Sequence, residues 1–116
     1  MDLEISLSPG IQKQPELAAL VANAEPTLRR IVGETLEDPK TPVRARWDLE
    51  SGVPGHEQFL LTLADFSGEV SDSYSREELA KADELWPHMH WQWGDLLHQR
   101  VRFRLKELRE AMATAE

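Results

Sequence analysis

The segment from Trp86 to His98 concentrates the side chains of this chain that could bind a metal or transfer protons. On a helix, Asp95 and His98 lie one turn apart, and His88 lies two turns before Asp95 on the same side. These three residues are therefore candidate ligands of a metal-assisted hydrolase. Their spacing supplies no HExxH motif and no further converging ligand, so we expect the histidines to cap a bend at Pro87, bond to backbone or face solvent. We expect no metal, no cofactor and no catalytic residue.

Other catalytic chemistries have less support in the sequence. The chain contains no Cys, which excludes disulfides, thiol catalysis and zinc sites built on cysteine. Asp65 and Ser67 stand close together, but no histidine is positioned to complete a nucleophilic triad. No glycine-rich loop leads directly into a helix, so a phosphate-binding loop is not predicted. These patterns favour a non-catalytic protein.

Tryptophan is the more informative residue type, because three of the four tryptophans are Trp86, Trp91 and Trp93. Trp93 is predicted to join the core, and Trp91 lies about 160° away from it around a helix that turns ~100° per residue. Trp86 and Trp91 are therefore candidates for contact with a partner protein. The alternative is that the loop from Gly52 to His56 covers Trp91.

The charge of the chain limits its partners. The 116 residues have a formal net charge of -8, with -10 in residues 1–99 and +2 in residues 100–116. An acidic protein repels phosphate, so nucleic acid is not the expected partner. The alternative is nucleic-acid binding by the basic C-terminal helix, through Arg102 and Arg104.

The acidic N-terminus and the lack of a run of ~20 apolar residues predict no membrane segment and a cytoplasmic location.

Hydrophobic periodicity predicts the elements that position these residues in one domain, 1–116. Period-two alternation or continuous apolar character predicts four strands, at the first eight residues, Val43 to Glu50, Gln58 to Phe66 and Glu69 to Tyr74. Pro15 begins a helix that Pro26 divides into two short helices, the second reaching Leu36, before a turn over 38–42. Ser75 and Glu78 form a capping box that starts a further helix.

The last predicted element is a long terminal helix beyond Pro87. Its apolar residues recur every three or four positions and are expected to pack on the sheet: Trp93, Leu97, Val101, Leu105, Leu108 and Met112. Residues 100–106 also alternate strictly, so a short strand there is the alternative. The sequence thus predicts an α+β fold: a mostly antiparallel sheet of about four strands with helices on one face, in the order β-α-α-β-β-β-α-α. The first strand could instead lie parallel to its neighbour.

The outer face of this sheet is a second candidate surface. Alternation places Leu60 and Phe66 there with Thr62 and Ala64, bordered by Arg44, Arg46 and Glu4. An apolar centre with a charged rim is typical of a protein interface, although the terminal helix could cross over and cover it. We therefore predict an adaptor, chaperone or accessory subunit that binds another protein, with the acidic charge favouring a basic one, or a second copy of itself.

Overall fold

The computed structural model describes residues 3–34 and 41–114 and confirms the predicted α+β fold and element order. Its elements are β1 (Leu3–Leu7), α1 (Pro9–Gln12), α2 (Pro15–Gly33), β2 (Val43–Ser51), β3 (Gln58–Asp65), β4 (Gly68–Ser75), α3 (Arg76–Ala80) and α4 (Ala82–Thr114). Within these two ranges, no helix has the length and apolar character needed to cross a membrane.

The four strands form one sheet in the order β1-β2-β3-β4. β1 runs parallel to β2, with Leu3 opposite Val43, and the other two pairings are antiparallel. The sheet is therefore mostly antiparallel, and the parallel alternative for the first strand is the correct one. β3 lies between β2 and β4, which explains why the sequence of this strand is apolar at nearly every position.

A tight turn joins β3 to β4, as predicted. Gly68 has a φ of 135°, a conformation that L side chains rarely adopt. A Cβ atom at Gly68 would also lie 3.0 Å from the side-chain oxygen of Gln99. The backbone conformation favours glycine at the point where the hairpin meets α4, and a larger residue would also displace the end of the Gln99 side chain.

The core lies between one face of the sheet and the helices. Buried side chains from alternate strand positions, such as Trp47 and Leu61, pack against Leu28 of α2 and Met89 of α4. This arrangement confirms the prediction that the helices cover one face of the sheet.

α2 differs from prediction, because it is a single helix that continues through Pro26. Pro26 is exposed, whereas Ala24 and Leu28 on either side of it are buried. Packing of this continuous apolar face outweighs the one hydrogen bond that proline cannot donate. The predicted order still holds because α1 supplies the other helix. Leu36 and residues 38–40 of the predicted turn lie outside the described residues.

The capping box at the start of α3 is confirmed. The backbone amide of Glu78 donates to Ser75 Oγ at 3.1 Å, and the Ser75 amide donates to Glu78 Oε1 at 3.3 Å. α3 ends at Ala80, and α4 then continues through Pro87 to Thr114. Residues 100–106 are therefore helical.

Candidate interaction surface on helix α4

α4 consists of two parts with different surroundings. From Leu85 to Arg100 one face of the helix is buried against the rest of the protein. From Val101 to Thr114 every side chain is exposed except that of Phe103, which is half-buried. The expected packing of the whole terminal helix on the sheet is therefore correct only as far as Arg100.

Three polar side chains, His88, Gln92 and Arg100, fix the rotation of α4 about its own axis. Gln92 is 1% exposed, and its Nε2 donates to the carbonyl oxygen of Leu61 at 2.8 Å and to that of Val70 at 3.2 Å. Its Oε1 accepts from the hydroxyl of Tyr74 at 2.8 Å. These bonds join the centre of α4 to β3 and β4, and buried polar groups so satisfied resist rotation of the helix.

His88 holds the N-terminal part of α4. Its Nδ1 lies 2.6 Å from Glu78 Oε2, its Nε2 lies 2.8 Å from Asp72 Oδ2, and its ring stacks on Tyr74 with centroids 4.0 Å apart. Burial lowers the pKa of His88, but hydrogen bonds and charge attraction from Glu78 and Asp72 outweigh that effect and raise the pKa overall. When it is protonated, the His88 imidazole donates to both carboxylates and joins α4 to α3 and β4.

Burial is the main reason that the pKa of Tyr74 is raised, and the charges of Asp72 and Glu78 add to it. The Tyr74 hydroxyl therefore stays protonated and continues to donate to Gln92. His88, which stacks on the Tyr74 ring, and Gln92, which accepts from the Tyr74 hydroxyl, therefore both contact one neutral side chain.

Arg100 is the last anchor before α4 leaves the body of the protein. Its Nε donates to Asp65 Oδ2, and the two side chains are only 3% and 0% exposed. The guanidinium also lies 5.1 Å from the ring centroid of Trp93. This buried ion pair ties α4 to the end of β3.

With α4 fixed in this rotation, its opposite face is exposed along the whole helix. We call this face the α4 seam, and its positions follow one another at alternating intervals of four and three: Pro87, Trp91, Gly94, His98, Val101, Leu105, Leu108 and Met112. This is the a/d spacing of a heptad repeat, which keeps one stripe of a helix facing a partner helix. Sequence analysis missed the seam because it assigned Val101, Leu105, Leu108 and Met112 to the core stripe that contains Trp93.

The apolar side chains of the α4 seam are unusually exposed. Trp91 is 73% exposed, and the four apolar residues from Val101 to Met112 are between 47 and 62% exposed. Single exposed apolar residues are ordinary on protein surfaces, but a continuous row of large ones marks an interaction site. The alternative in which the loop from Gly52 to His56 covers Trp91 is therefore wrong.

Charges border the α4 seam in an uneven pattern. Along one edge, exposed Asp95 is followed at seven-residue intervals by exposed Arg102 and Arg109. Arg104 lies along the other edge, with its guanidinium 5.5 Å from the ring centroid of Phe66. The seam thus has one acidic flank near its start and several basic flanks near its end.

Trp86 borders a shallow groove at the start of the α4 seam. The groove is lined by residues of α4: Trp86, Pro87, His90, Trp91, Gly94 and Asp95. Trp86 is half-buried, and Arg30 of α2 lies over its ring at 4.9 Å. Of the two predicted contact tryptophans, Trp91 is therefore the exposed one, and Trp86 forms a wall beside it.

The predicted apolar strip on the outer face of the sheet does not form. Phe66 lies in the turn after β3 and packs edge-to-face on Phe103 of α4, with centroids 5.4 Å apart. Leu60 remains on the outer face but is half-buried. Polar contacts surround it, including Ser73 to Glu50 at 2.8 Å and Thr62 to Ser71 at 2.9 Å. The strip fails because β3 ends at Asp65, so strand alternation does not extend to Phe66.

The two arginines predicted to border that strip do lie on the outer face. Arg44 and Arg46 are exposed and alternate with buried residues of β2, and Arg46 pairs with Asp48 at 3.0 Å. The outer face is therefore polar, and Arg46 already has an ion-pair partner within it. It resembles a docking surface less than the α4 seam does.

The structure does not bring together the three candidate metal ligands of the alternative hydrolase interpretation, His88, Asp95 and His98. His88 bonds to Glu78 and Asp72, whereas His98 and Asp95, which lies two turns further along the same side of α4 as His88, are exposed. In the described ranges, no three His, Asp or Glu side chains come together in an arrangement that could hold a metal ion. Glu78 and Asp72 cover this side of α4 at His88 and occupy both of its ring nitrogens, so neither nitrogen is left for an ion shared with Asp95 and His98.

The fold and this surface define an α+β domain with an exposed heptad-spaced face on its last helix. Comparisons with protein-family models, curated proteins and solved structures find no match to the chain.

Proposed function

We propose that this protein is a non-catalytic protein–protein interaction module and that its docking element is the α4 seam. The observation that carries the proposal is the row of large apolar side chains between Val101 and Met112, each about half exposed on a helix that has left its own core. Exposure of this area to water is unfavourable at ~25 cal/mol per Å² of apolar surface. A partner helix that covers the row would recover that free energy.

Heptad spacing specifies the kind of partner. Side chains at alternating intervals of three and four insert between those of a facing helix, and a flat or polar surface would leave the row incompletely covered. We therefore propose an α-helix as the occupant. Trp91, predicted as a contact residue from the sequence, would lie at the centre of the groove near Trp86, where large aromatic side chains contribute most to binding.

The flanking charges refine the earlier expectation of a basic partner. A basic helix would suit Asp95 and the acidic body, but it would meet Arg102 and Arg109 along the same edge. The partner helix should therefore present a basic group near one end of the seam and acidic groups near the other.

Site-specific photo-cross-linking in cells that express the full chain tests this function. A photoreactive amino acid at Val101 should form a covalent adduct with another polypeptide, and the same amino acid at Glu110, on the opposite side of α4, should not. Leu108→Glu should abolish the adduct formed from Val101. Ala113→Glu makes the same change of charge off the seam and should leave that adduct intact. No adduct from Val101, or equal yields from the two variants, would refute the proposal.

A further inference from the structure

The α4 seam is complementary to itself when two helices run in opposite directions. We infer that its occupant is a second copy of this chain, packed antiparallel so that Trp91 lies against the other copy's Leu108. This inference rests on the proposed function and identifies its partner. The seam rises about 38 Å from Pro87 to Met112 at about 1.5 Å per residue, so the contact would extend over most of α4.

Side-chain sizes support this register. Trp91, the largest residue of the seam, meets the aliphatic Leu108. Gly94, which has no side chain, meets Leu105, and a glycine at that point lets the two helices approach closely. Pro87 meets Met112 in the outermost layer, and the layer beside the two-fold axis pairs His98 with Val101. By symmetry each layer occurs twice, as a dimer with one kind of surface requires.

Flanking charges select the same register. Two antiparallel helices in this register bring Asp95 of one copy beside Arg102 of the other, and the symmetry axis creates this pair twice. A slip of one heptad in one direction would place Arg102 beside the other copy's Arg102, although Asp95 would then meet the other copy's Arg109. A slip in the other direction would place Asp95 beside the other copy's Asp95. A parallel pair would place Arg104 beside the other copy's Arg109. Like charges at these positions are unfavourable and count against these alternatives.

The overall charge distribution agrees with this arrangement. Residues 100–116 carry +2 and residues 1–99 carry -10. In the antiparallel pair, the basic end of each α4 lies along the part of the other α4 that belongs to the acidic body. The buried side of α4, with Leu85, Met89 and Leu96, faces away from the seam. The two bodies therefore lie on opposite outer sides of the helix pair, where they do not obstruct it.

Sedimentation of the purified full chain over a wide concentration range tests the identity of the occupant. We expect the mass to rise from 13.3 kDa to twice that value with concentration, because an interface of this extent is of the weaker, reversible class. A chain that stays monomeric at every concentration overturns the inference. If the chain stays monomeric but Val101 cross-links to a different protein in cells, the proposed function holds and only the inferred identity of the partner is wrong. If no adduct forms, the proposed function and the inferred partner are both wrong.

Charge reversal tests the register. Asp95→Arg and Arg102→Asp should each weaken self-association by roughly 30-fold, because each change turns two attractive surface pairs into repulsive ones. An equimolar mixture of the two variants should associate again, since both of its pairs are attractive. Glu110→Arg makes the same change of charge as Asp95→Arg on the opposite side of α4 and should leave self-association unchanged. A mixture that fails to associate overturns the register.

Cysteine cross-linking gives an independent measure of helix direction, because the chain has no native Cys. A Cβ at Gly94 meets no atom within 4 Å, so Gly94→Cys fits the folded chain. A mixture of Gly94→Cys and Leu105→Cys should form covalent dimers with a short bis-maleimide. Neither variant should do so alone. Cross-linking of Leu105→Cys to itself would indicate a parallel pair and overturn the antiparallel arrangement.

Discussion

The ion pair between Arg100 and Asp65 should be the most sensitive polar contact in the protein. Asp65 Oδ1 accepts from the amide of Ser67 at 2.8 Å and from its hydroxyl at 2.6 Å, so Oδ2 depends on Arg100. Arg100→Met keeps the apolar stem that packs near Trp93 but removes the charge, leaving a carboxylate whose side chain is 0% exposed. Breaking one partner of a buried pair costs about 3–5 kcal/mol. Domains unfold with only ~5–15 kcal/mol, so this variant should lose a large part of its stability.

Urea unfolding followed by tryptophan fluorescence measures this loss. The urea concentration at the unfolding midpoint should fall, while the slope of the unfolding free energy against urea concentration stays constant. Arg102→Met replaces an exposed arginine two positions later and is the matched control; in dilute, monomeric protein it should change the free energy of unfolding by less than ~0.5 kcal/mol. The double variant Asp65→Asn with Arg100→Met should recover much of the loss, since the side-chain oxygen at position 65 can still accept from Ser67 and no buried charge remains. A loss below about 1 kcal/mol in Arg100→Met, or a double variant less stable than the single one, would refute the reasoning.

Three further predictions concern the two parts of α4, the His88 anchor and Pro26 of α2. Leu96→Ala should cost about 2–5 kcal/mol in chemical unfolding, whereas Leu108→Ala in dilute, monomeric protein should cost less than ~0.5 kcal/mol; equal losses would show that both residues are packed. Because its pKa is raised on folding, His88 should stabilise the protein fully below its ordinary pKa of 6.5 and lose this effect as pH rises through the folded-state value. The melting temperature of the protein should therefore exceed that of His88→Gln most at mildly acidic pH, and a difference that grows with pH would contradict this sign. Pro26→Ala should raise the free energy of unfolding by about 1–3 kcal/mol, since it restores a backbone donor at an exposed position of α2, and a loss measured in urea would count against that account.

Local patterns predicted most of the fold because each of them is imposed by backbone geometry. Alternation in β2, where Val43, Ala45 and Trp47 are buried, needs no information beyond the strand period. The capping box of Ser75 is equally local, because both of its hydrogen bonds join residues three positions apart. Pro26 was misjudged because the outcome depends on tertiary packing of the residues around it.

The candidate surface was harder to predict because periodicity alone does not say what an apolar stripe packs against. Leu105 and Leu108 continue the helical spacing of Trp93, and only the anchors at Gln92 and Arg100 show that the core face of α4 differs from theirs. Those anchors involve partners on β3 and β4 that lie between 18 and 35 residues away, which no local pattern records. The exposed position of Trp91 was predicted correctly, since it follows from helical angle alone.

The parallel pairing of β1 with β2 also has a consequence for how the chain folds. Leu3 pairs with Val43, and both α1 and α2 lie between these two residues in the sequence. In contrast, short connections join β2, β3 and β4. Closing the loop between β1 and β2 costs more conformational entropy before any contact forms. The antiparallel strands β2, β3 and β4 should therefore assemble first, and β1 should pair with β2 late. Truncation of Ile5 to Ala would then leave the refolding rate almost unchanged and accelerate unfolding, because the edge strand contributes little to the transition state.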